Sequence, residues 1–327
     1  MNVIDDTIDF ENYLKMTEAK TLVRPAKSFA ATVKKSLRSY QDSSKIYLPW
    51  SNTVENFNFR DGEMTIWAGQ NGHGKSTIVN HVTLSLLGQE QKVCIASPEM
   101  KPHNVIKHML RMYSGMNPSA PEYRDSNEAL KQFDALLDEM LDWTNKRLWL
   151  YDQVGMVSPE AILGMVRYAA NELKVKHVFI DNLSKIVRGE DDYNAQKDFV
   201  SDLFAAARDT GVHVHLVHHI KKLSKESDVP DKTNVKGTGA ITDIVDNLFM
   251  VWRNKPKEDD IKMNGSLAKM TNDPDVLLLC RKQREYEGND EGEPTIRLWY
   301  DRESQQYLPF KGAKLQTFYR KYPHRDD

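Results

Sequence analysis

One stretch constrains the fold of this chain more than any other: Gly62-Glu63-Met64-Thr65-Ile66-Trp67-Ala68-Gly69-Gln70-Asn71-Gly72-His73-Gly74-Lys75-Ser76-Thr77-Ile78-Val79-Asn80-His81. The apolar run from Met64 to Ala68 reads as a buried strand. Ile78, Val79, Val82, Leu86 and Leu87 recur at helical spacing, and Gly88 supplies a stop. Between strand and helix, Gly69 to Ser76 spells G-x-x-x-x-G-K-S, a phosphate-binding loop in the context that confirms such a motif. Its glycines let the backbone turn N–H groups inward and approach a phosphate closely. The helix N-terminus adds favourable partial charge. In a loop of this kind Lys75 reaches the β- and γ-phosphates and the Ser76 hydroxyl ligates Mg²⁺. Gly69, Gln70, Asn71, Gly72, His73, Gly74 and Thr77 complete the cradle for ATP or another nucleoside triphosphate. The competing reading is a glycine-rich turn with an accidental Lys-Ser, and the flanking strand and helix weigh against it.

At 327 residues and 40% hydrophobic, the chain suits one large α/β domain, with or without an added arm. Its formal charge of −2 gives no global basic field, so a nucleic acid would be held by a local basic strip. The two cysteines, Cys94 and Cys280, sit in apolar strand-like runs without metal spacing. They read as buried reduced thiols in a cytoplasmic protein. The acidic N-terminus has no basic region followed by an apolar one, so no signal peptide is expected. No apolar run approaches membrane-spanning length.

Residues 1–45 are polar and moderately basic, with scattered apolar anchors at Phe10, Tyr13, Leu14, Phe29, Val33 and Leu37. They read either as a partly ordered tail or as an arm that packs on a neighbouring subunit, because those anchors need a partner surface. From Ile46 to residue 310 short apolar strands alternate with amphipathic helices, the signature of a mainly parallel sheet. Strands are expected at 64–68, 92–96, 148–151, 177–180, 212–217, 247–252, 276–281 and 295–300. Helices are expected at 126–143, at 159–173 behind a Ser158 cap, and at 193–210 ending at Gly211. The last strands are expected to follow one another without helices, which implies antiparallel strands at that side. Residues 311–327 read as a frayed tail.

In open α/β sheets ligands sit at the carboxyl ends of the strands. The strand at 92–96 runs into Ser97-Pro98-Glu99-Met100. If that strand neighbours the phosphate-loop strand, Glu99 can deprotonate the attacking water; otherwise it is an acid near a helix start. The strand at 177–180 ends in Asp181, a carboxylate placed to hold Mg²⁺. The strand at 212–217 runs into His218-His219, whose side chains point to opposite faces, so only one can touch a γ-phosphate. Zinc binding is not expected without a Cys/His cluster. Residues 221–239 carry Lys221, Lys222, Lys225, Lys232 and Lys236, then Gly237-Thr238-Gly239. They form either a solvated loop or one that grips a sugar–phosphate backbone irrespective of sequence. Lys282 and Arg284 share a face of a late strand. They are either solvated or a cation pair offered to the nucleotide of a neighbouring subunit.

In order along the chain, Trp67-Ala68-Gly69-Gln70-Asn71-Gly72-His73-Gly74-Lys75-Ser76, Ser97-Pro98-Glu99-Met100, Val178-Phe179-Ile180-Asp181, Val217-His218-His219-Ile220-Lys221, Lys236-Gly237-Thr238-Gly239-Ala240, Trp252-Arg253-Asn254 and Lys282-Gln283-Arg284 form a specific set. The set resembles the ring-forming, DnaB-like replicative DNA helicases, above all the helicase half of phage primase–helicases and the Twinkle-type helicases. The resemblance covers residues 46 to 305 and implies a RecA-like P-loop NTPase. Its mainly parallel central sheet would be flanked by helices, with antiparallel strands added towards the C-terminal end. By resemblance, Lys75, Ser76 and Asp181 serve ATP and Mg²⁺, and Glu99 is the hydrolytic carboxylate. His219 takes the phosphate-sensing place, with His218 as the alternative alignment. Lys282 and Arg284 cross to the next subunit's nucleotide, Arg253 packs near the base, and Lys221, Lys222, Lys225, Lys236, Gly237, Thr238 and Gly239 belong to the loop that holds single-stranded DNA in a central channel. The resemblance also implies a hexameric ring, with the N-terminal arm docked on the next subunit. Relatives of this type carry a primase, toprim or helical domain ahead of the motor, whereas 45 residues precede it here. No zinc module or primase carboxylate cluster is visible, so priming by this chain is not expected, and a separate primase or polymerase is the candidate partner.

Two rivals stay open at the level of sequence. A strand-exchange recombinase of the same fold would form filaments. An ATP-gated assembly or loading factor would bind a protein partner, and the lysine loop argues against it.

Overall fold

Strands in a sheet covered on both faces are buried at every position rather than at alternate ones. Met64–Gly69 (β4), Val93–Ala96 (β5), Leu148–Tyr151 (β6) and His177–Ile180 (β7) are buried throughout, and His213–His219 (β8) and Asn247–Arg253 (β9) at all but the last residue. The computed structural model describes residues 2–4, 26–31, 33–34, 45–54, 57–124, 126–187, 192–225, 227–237, 239–285 and 294–318. The remaining strands are Asn2–Ile4 (β1), Ile46–Tyr47 (β2), Asn58–Phe59 (β3), Val276–Gln283 (β10), Thr295–Tyr300 (β11) and Tyr307–Leu308 (β12). Ten strands make one sheet in the order β1-β6-β5-β7-β8-β4-β9-β10-β11-β12, and β2 and β3 pair apart from it. Pairing is parallel from β1 to β9 and antiparallel from β9 to β12. This is the expected mainly parallel sheet with antiparallel strands at the C-terminal side.

Helices cover both faces. Lys75–Gly88 (α1), Pro102–Ser114 (α2), Pro121–Arg124 (α3) and Asn127–Thr144 (α4) lie on one side, where Ile78, Val82, Leu86, Met109 and Met140 meet Trp67 and Val217. Pro159–Asn171 (α5), Tyr193–Thr210 (α6) and Gly239–Ile244 (α7) lie on the other, where Ile162, Val166, Leu203 and Ile241 meet Ile66 and Val214. The helix ends follow their sequence signals. Ser158 Oγ accepts from Ala161 N ahead of Pro159, and Gly211 closes α6 at φ 72°. Truncating a fully buried residue such as Leu203 to Ala would cost about 2–5 kcal/mol.

Three features depart from expectation. A helix, Lys255–Asn264 (α8), stands between β9 and β10, so the last strands are not continuous. Its Lys-Pro-Lys-Glu-Asp-Asp start has no apolar stripe, and Ile261 and Met263 remain exposed, which left no periodic signal. Residues 2–4 add a parallel strand to the β6 edge of their own chain. Residues 311–318, expected to fray, fold back on α1: Gln316 N donates to Gln306 Oε1 at 2.7 Å, and Gln316 Oε1 lies 3.1 Å from His81 Nε2. Most of the arm at 1–45 and residues 319–327 lie outside the described residues.

Beneath the β4, β7 and β8 segment sits a buried cluster of rings. His177 Nδ1 lies 3.1 Å from His215 Nε2, His213 Nε2 lies 2.8 Å from Thr65 Oγ1, and Trp67 Nε1 donates to His215 Nδ1 at 3.3 Å. Burial pushes His213 down to about 4 and holds His177 and His215 well below the usual imidazole value. Cys94 and Cys280 are both buried and unpaired to each other.

Candidate nucleotide-binding and hydrolysis site

The phosphate loop leaves β4 at Gly69, which pairs with His219 of β8 on one side and Val251 of β9 on the other. The strands close so tightly here that a Cβ on Gly69 would stand 2.8 Å from the Val251 carbonyl oxygen. Gly74 caps α1 with φ 90°, a conformation that L side chains rarely adopt. Lys75 is the first residue of α1, and its Nζ donates to Gly69 O and Gln70 O, each at 2.9 Å. Burial lowers Lys75 to about 8, against the opposing pull of Asp181 and Glu99. Ser76 Oγ donates to Asp181 Oδ2 at 2.8 Å. Desolvation raises the Asp181 carboxyl, while the Ser76 bond and Lys75 pull it down. His73 Nδ1 accepts from Arg253 N at 3.2 Å, and Asn71 and Gly72 are exposed at the loop tip.

Glu99 does not come from a strand beside β4. β7 and β8 stand between β5 and β4, so the near-neighbour condition fails. Its charge nevertheless reaches both Lys75 and Asp181 across the strand ends. Glu99 is exposed, and the residue capping α2 is Lys101, so Glu99 is no helix cap. The two histidines part as the strand pleat requires. His219 Nε2 accepts from Asn182 Nδ2 at 2.9 Å, next to Asp181. His218 Nε2 donates to Lys236 O at 2.7 Å, into the lysine loop.

That loop is pinned at its base. Ile220 bridges Val235, Lys221 N donates to Asn234 O at 2.7 Å, and Lys236 N donates to His219 O at 3.0 Å. Lys221, Lys222 and Lys225 are exposed, Lys236 and Gly237 half-buried, Gly239 exposed, and Thr238 lies outside the described residues. A cavity of about 380 Å³ separates this loop from Lys282, with Lys221, Lys232, Gly237 and Asp243 in its walls. Lys282 Nζ donates to Thr242 O and Asp243 O, each at 2.8 Å, and Arg284 Nη2 to Asp243 O at 3.0 Å. The two side chains thus reach the same carbonyls, but not through the strand period: β10 is irregular between Cys280 and Lys282 and ends at Gln283, and Arg284 lies in the turn beyond it. The negative partners opposite are the last carbonyls of α7 and, for Arg284, the Asp246 carboxylate at 3.4 Å. Because β10 runs antiparallel, the pair lies away from the phosphate loop: Lys282 is in register with Leu248, and Gly69 with Val251, a separation of about 10 Å along the sheet.

A second cavity, of about 270 Å³, opens beside the loop and is lined by His73, Gly74, Thr77, Arg253, Tyr300 and Tyr307. Arg253 Nη1 donates to Gly72 O at 3.2 Å, and Glu258 accepts from Arg253 Nη2 at 2.9 Å. A Cβ on Gly74 would collide with the Tyr307 hydroxyl, so this wall closes directly onto the loop. Trp50 Nε1 anchors the Tyr307 carbonyl at 2.8 Å. Neither tyrosine nor Glu258 belongs to a motif, and β12 has two residues, so the sequence marked Arg253 in this wall but not its tyrosines.

The DnaB-like helicase C-terminal domain model matches residues 56–307. The chain belongs to that family. Two solved structures share the fold. One, described as an ATPase domain, superposes with a TM-score of 0.71 at 17% identity, over 88% of this chain and 99% of that one. The other, a DnaB-like replicative helicase described with its interactions with primase, superposes at 0.69 and 16% identity, over 88% of this chain and 67% of that one. Membership decides between the three readings left by the sequence: the chain is a DnaB-like, RecA-fold motor of a replicative DNA helicase, and it binds nucleotide. Among the described residues no helix is long and apolar enough to cross a membrane.

Proposed function

We propose that this DnaB-like motor works as a hexameric ring around single-stranded DNA and hydrolyses ATP where two subunits meet. The observation that carries the reading is the separation of Lys282 and Arg284 from the phosphate loop along one sheet. Such a pair is badly placed for its own Lys75, and in this reading it completes the loop of a second copy. Ser76 and Asp181 would hold Mg²⁺. A hydroxyl and a carboxylate are the hard oxygen donors this ion takes, and it draws its other ligands from water and nucleotide phosphates. When bound, the ion neutralises charge on the transferring phosphoryl group.

Glu99 takes the proton of the attacking water, Lys75 stabilises phosphate charge, and His219 registers the γ-phosphate. Arg253, Tyr300 and Tyr307 receive the base. Lys221, Lys222, Lys225 and Lys236, with Gly237, Thr238 and Gly239, hold DNA phosphates without reading sequence. Residues 46–310 are the motor, whose sheet residues 2–4 extend; the rest of 1–45 is the arm offered to the next subunit, and 311–327 a tail. The likeness to a helicase described with primase supports a separate primase partner. Buried thiols suit a reducing bacterial or phage-infected cytosol.

Strand separation on a forked duplex, with ATP and a tail on one strand or the other, tests the proposal. Unwinding that depends on ATP and on which strand carries the tail is expected. ATP hydrolysis with no strand separation on either fork would contradict it.

A further inference from the structure

At the end of the sheet away from the phosphate loop, Asp246 is fully buried beneath the cation pair. Its Oδ2 accepts the Met64 N–H at 2.9 Å, at the first residue of β4. Its Oδ1 accepts from Arg208 Nη2 at 2.7 Å and lies 3.4 Å from Arg284 Nη1. The Asp246 carbonyl takes the Arg284 backbone N–H at 2.9 Å. Both guanidinium groups sit over the Phe204 ring, Arg208 at 4.9 Å and Arg284 at 5.9 Å from its centroid. On its other side Arg284 donates to Asp243 O and Ile244 O at the end of α7. Arg284 is therefore bounded by a buried anion, an aromatic face and helix-end carbonyls, while 41% of its side chain stays exposed.

A carboxylate this deep is strongly penalised unless it is paired and hydrogen-bonded. Arg208 alone would satisfy one oxygen and Met64 N the other. The approach of Arg284 from side chain and backbone together is more than charge balance needs. A long arginine side chain loses roughly 2 kcal/mol of rotamer entropy when it is fixed, so holding it in advance favours its use at a reacting centre.

We propose that Asp246 is a positioning residue for Arg284, fixing the guanidinium in the pose in which it meets the nucleotide of the next subunit. The inference rests on the shared-site reading above. Asp246 touches no nucleotide itself and acts through Arg284.

The test compares Asp246→Asn with Arg284→Ala, each alone and each mixed with Lys75→Ala chains. A Lys75→Ala chain lacks a working phosphate loop but still offers Arg284 to its neighbour. Asp246→Asn is expected to keep ATP binding, to lose at least threefold in ATP hydrolysis, and to regain rate when mixed with Lys75→Ala, beyond the sum of the two alone. The Asp246→Asn/Arg284→Ala double variant is expected to be no slower than Arg284→Ala. A purely structural role would damage the variant's own loop, and mixing would not restore it. If Asp246→Asn does not fold, Asp246→Glu keeps the charge at altered reach and is held to the same loss and the same recovery. A loss under threefold, or recovery for Arg284→Ala without recovery for the Asp246 variant, overturns the inference. If Arg284→Ala also fails to recover, the shared-site reading falls, and this inference with it.

Discussion

His219 Nε2 accepts a 2.9 Å hydrogen bond from Asn182 Nδ2, and the Ser184 N–H on Asn182 Oδ1 fixes the orientation of that amide. Asn182 follows Asp181, while the His219 carbonyl accepts from Lys236 N in the lysine loop. One residue thus joins the proposed Mg²⁺ ligand strand to the proposed DNA loop. Replacing His219 by Ala is expected to leave ATP affinity close to the parent and to reduce DNA stimulation of ATPase by about 5- to 150-fold, the span of ordinary coupling energies. Undiminished stimulation would remove His219 from the coupling.

Glu99 stands exposed, with its charge felt at Lys75 and Asp181. Glu99→Gln keeps the shape and removes the base. ATP and single-stranded DNA should bind normally while hydrolysis falls by about 10²–10⁴-fold, the usual worth of a general base. Turnover at the parent rate would show that another group takes the proton.

The location of that carboxylate shows what a sequence can and cannot say. The central strands β4 to β7 can be read because they are buried throughout, and Asp181, directly after β7, is brought against Ser76. Strand order is a different kind of information. Nothing in Lys92 to Ala96 says that two strands separate it from β4, so Glu99 could be read only conditionally. Tyr307 is invisible for another reason. It owes its place to long-range bonds with Trp50 and His81, not to any local pattern. Lys282 and Arg284 could be read as a pair, but the turn that carries Arg284 and the distance of the pair from Gly69 needed the end and the antiparallel register of β10.

Lys75 supplies a pH signature. Its ammonium form binds phosphate, and burial lowers it to about 8 in the nucleotide-free chain. Above that pH the chain must take up a proton to bind ATP. Affinity should therefore decline by up to about tenfold per pH unit above 8. Calorimetry in buffers of different ionisation enthalpy should detect the proton uptake. Affinity that stays flat above pH 8 with no uptake would contradict this.

The buried histidines act on stability in the opposite pH range. His81, His213 and His218 are lowered from 6.5 to about 4, and His177 and His215 lie well below 6.5, mainly through desolvation. Between these values the unfolded chain binds more protons than the folded one. Stability is then fully present above pH 6.5 and falls as pH drops towards 4, by about 1.4 kcal/mol per pH unit for each histidine. Denaturant titrations across this range should show the decline, and His215→Gln should make it shallower. A midpoint independent of pH would contradict it.

In the proposed ring each chain carries half of two sites: a phosphate loop at one end of its sheet and the Lys282–Arg284 pair towards the other. ATPase rate per chain, measured against protein concentration alongside nucleotide binding, tests it most directly. Dilution should abolish hydrolysis as assemblies dissociate while leaving ATP binding per chain intact. A constant rate per chain, down to concentrations at which the protein is monomeric, would contradict it.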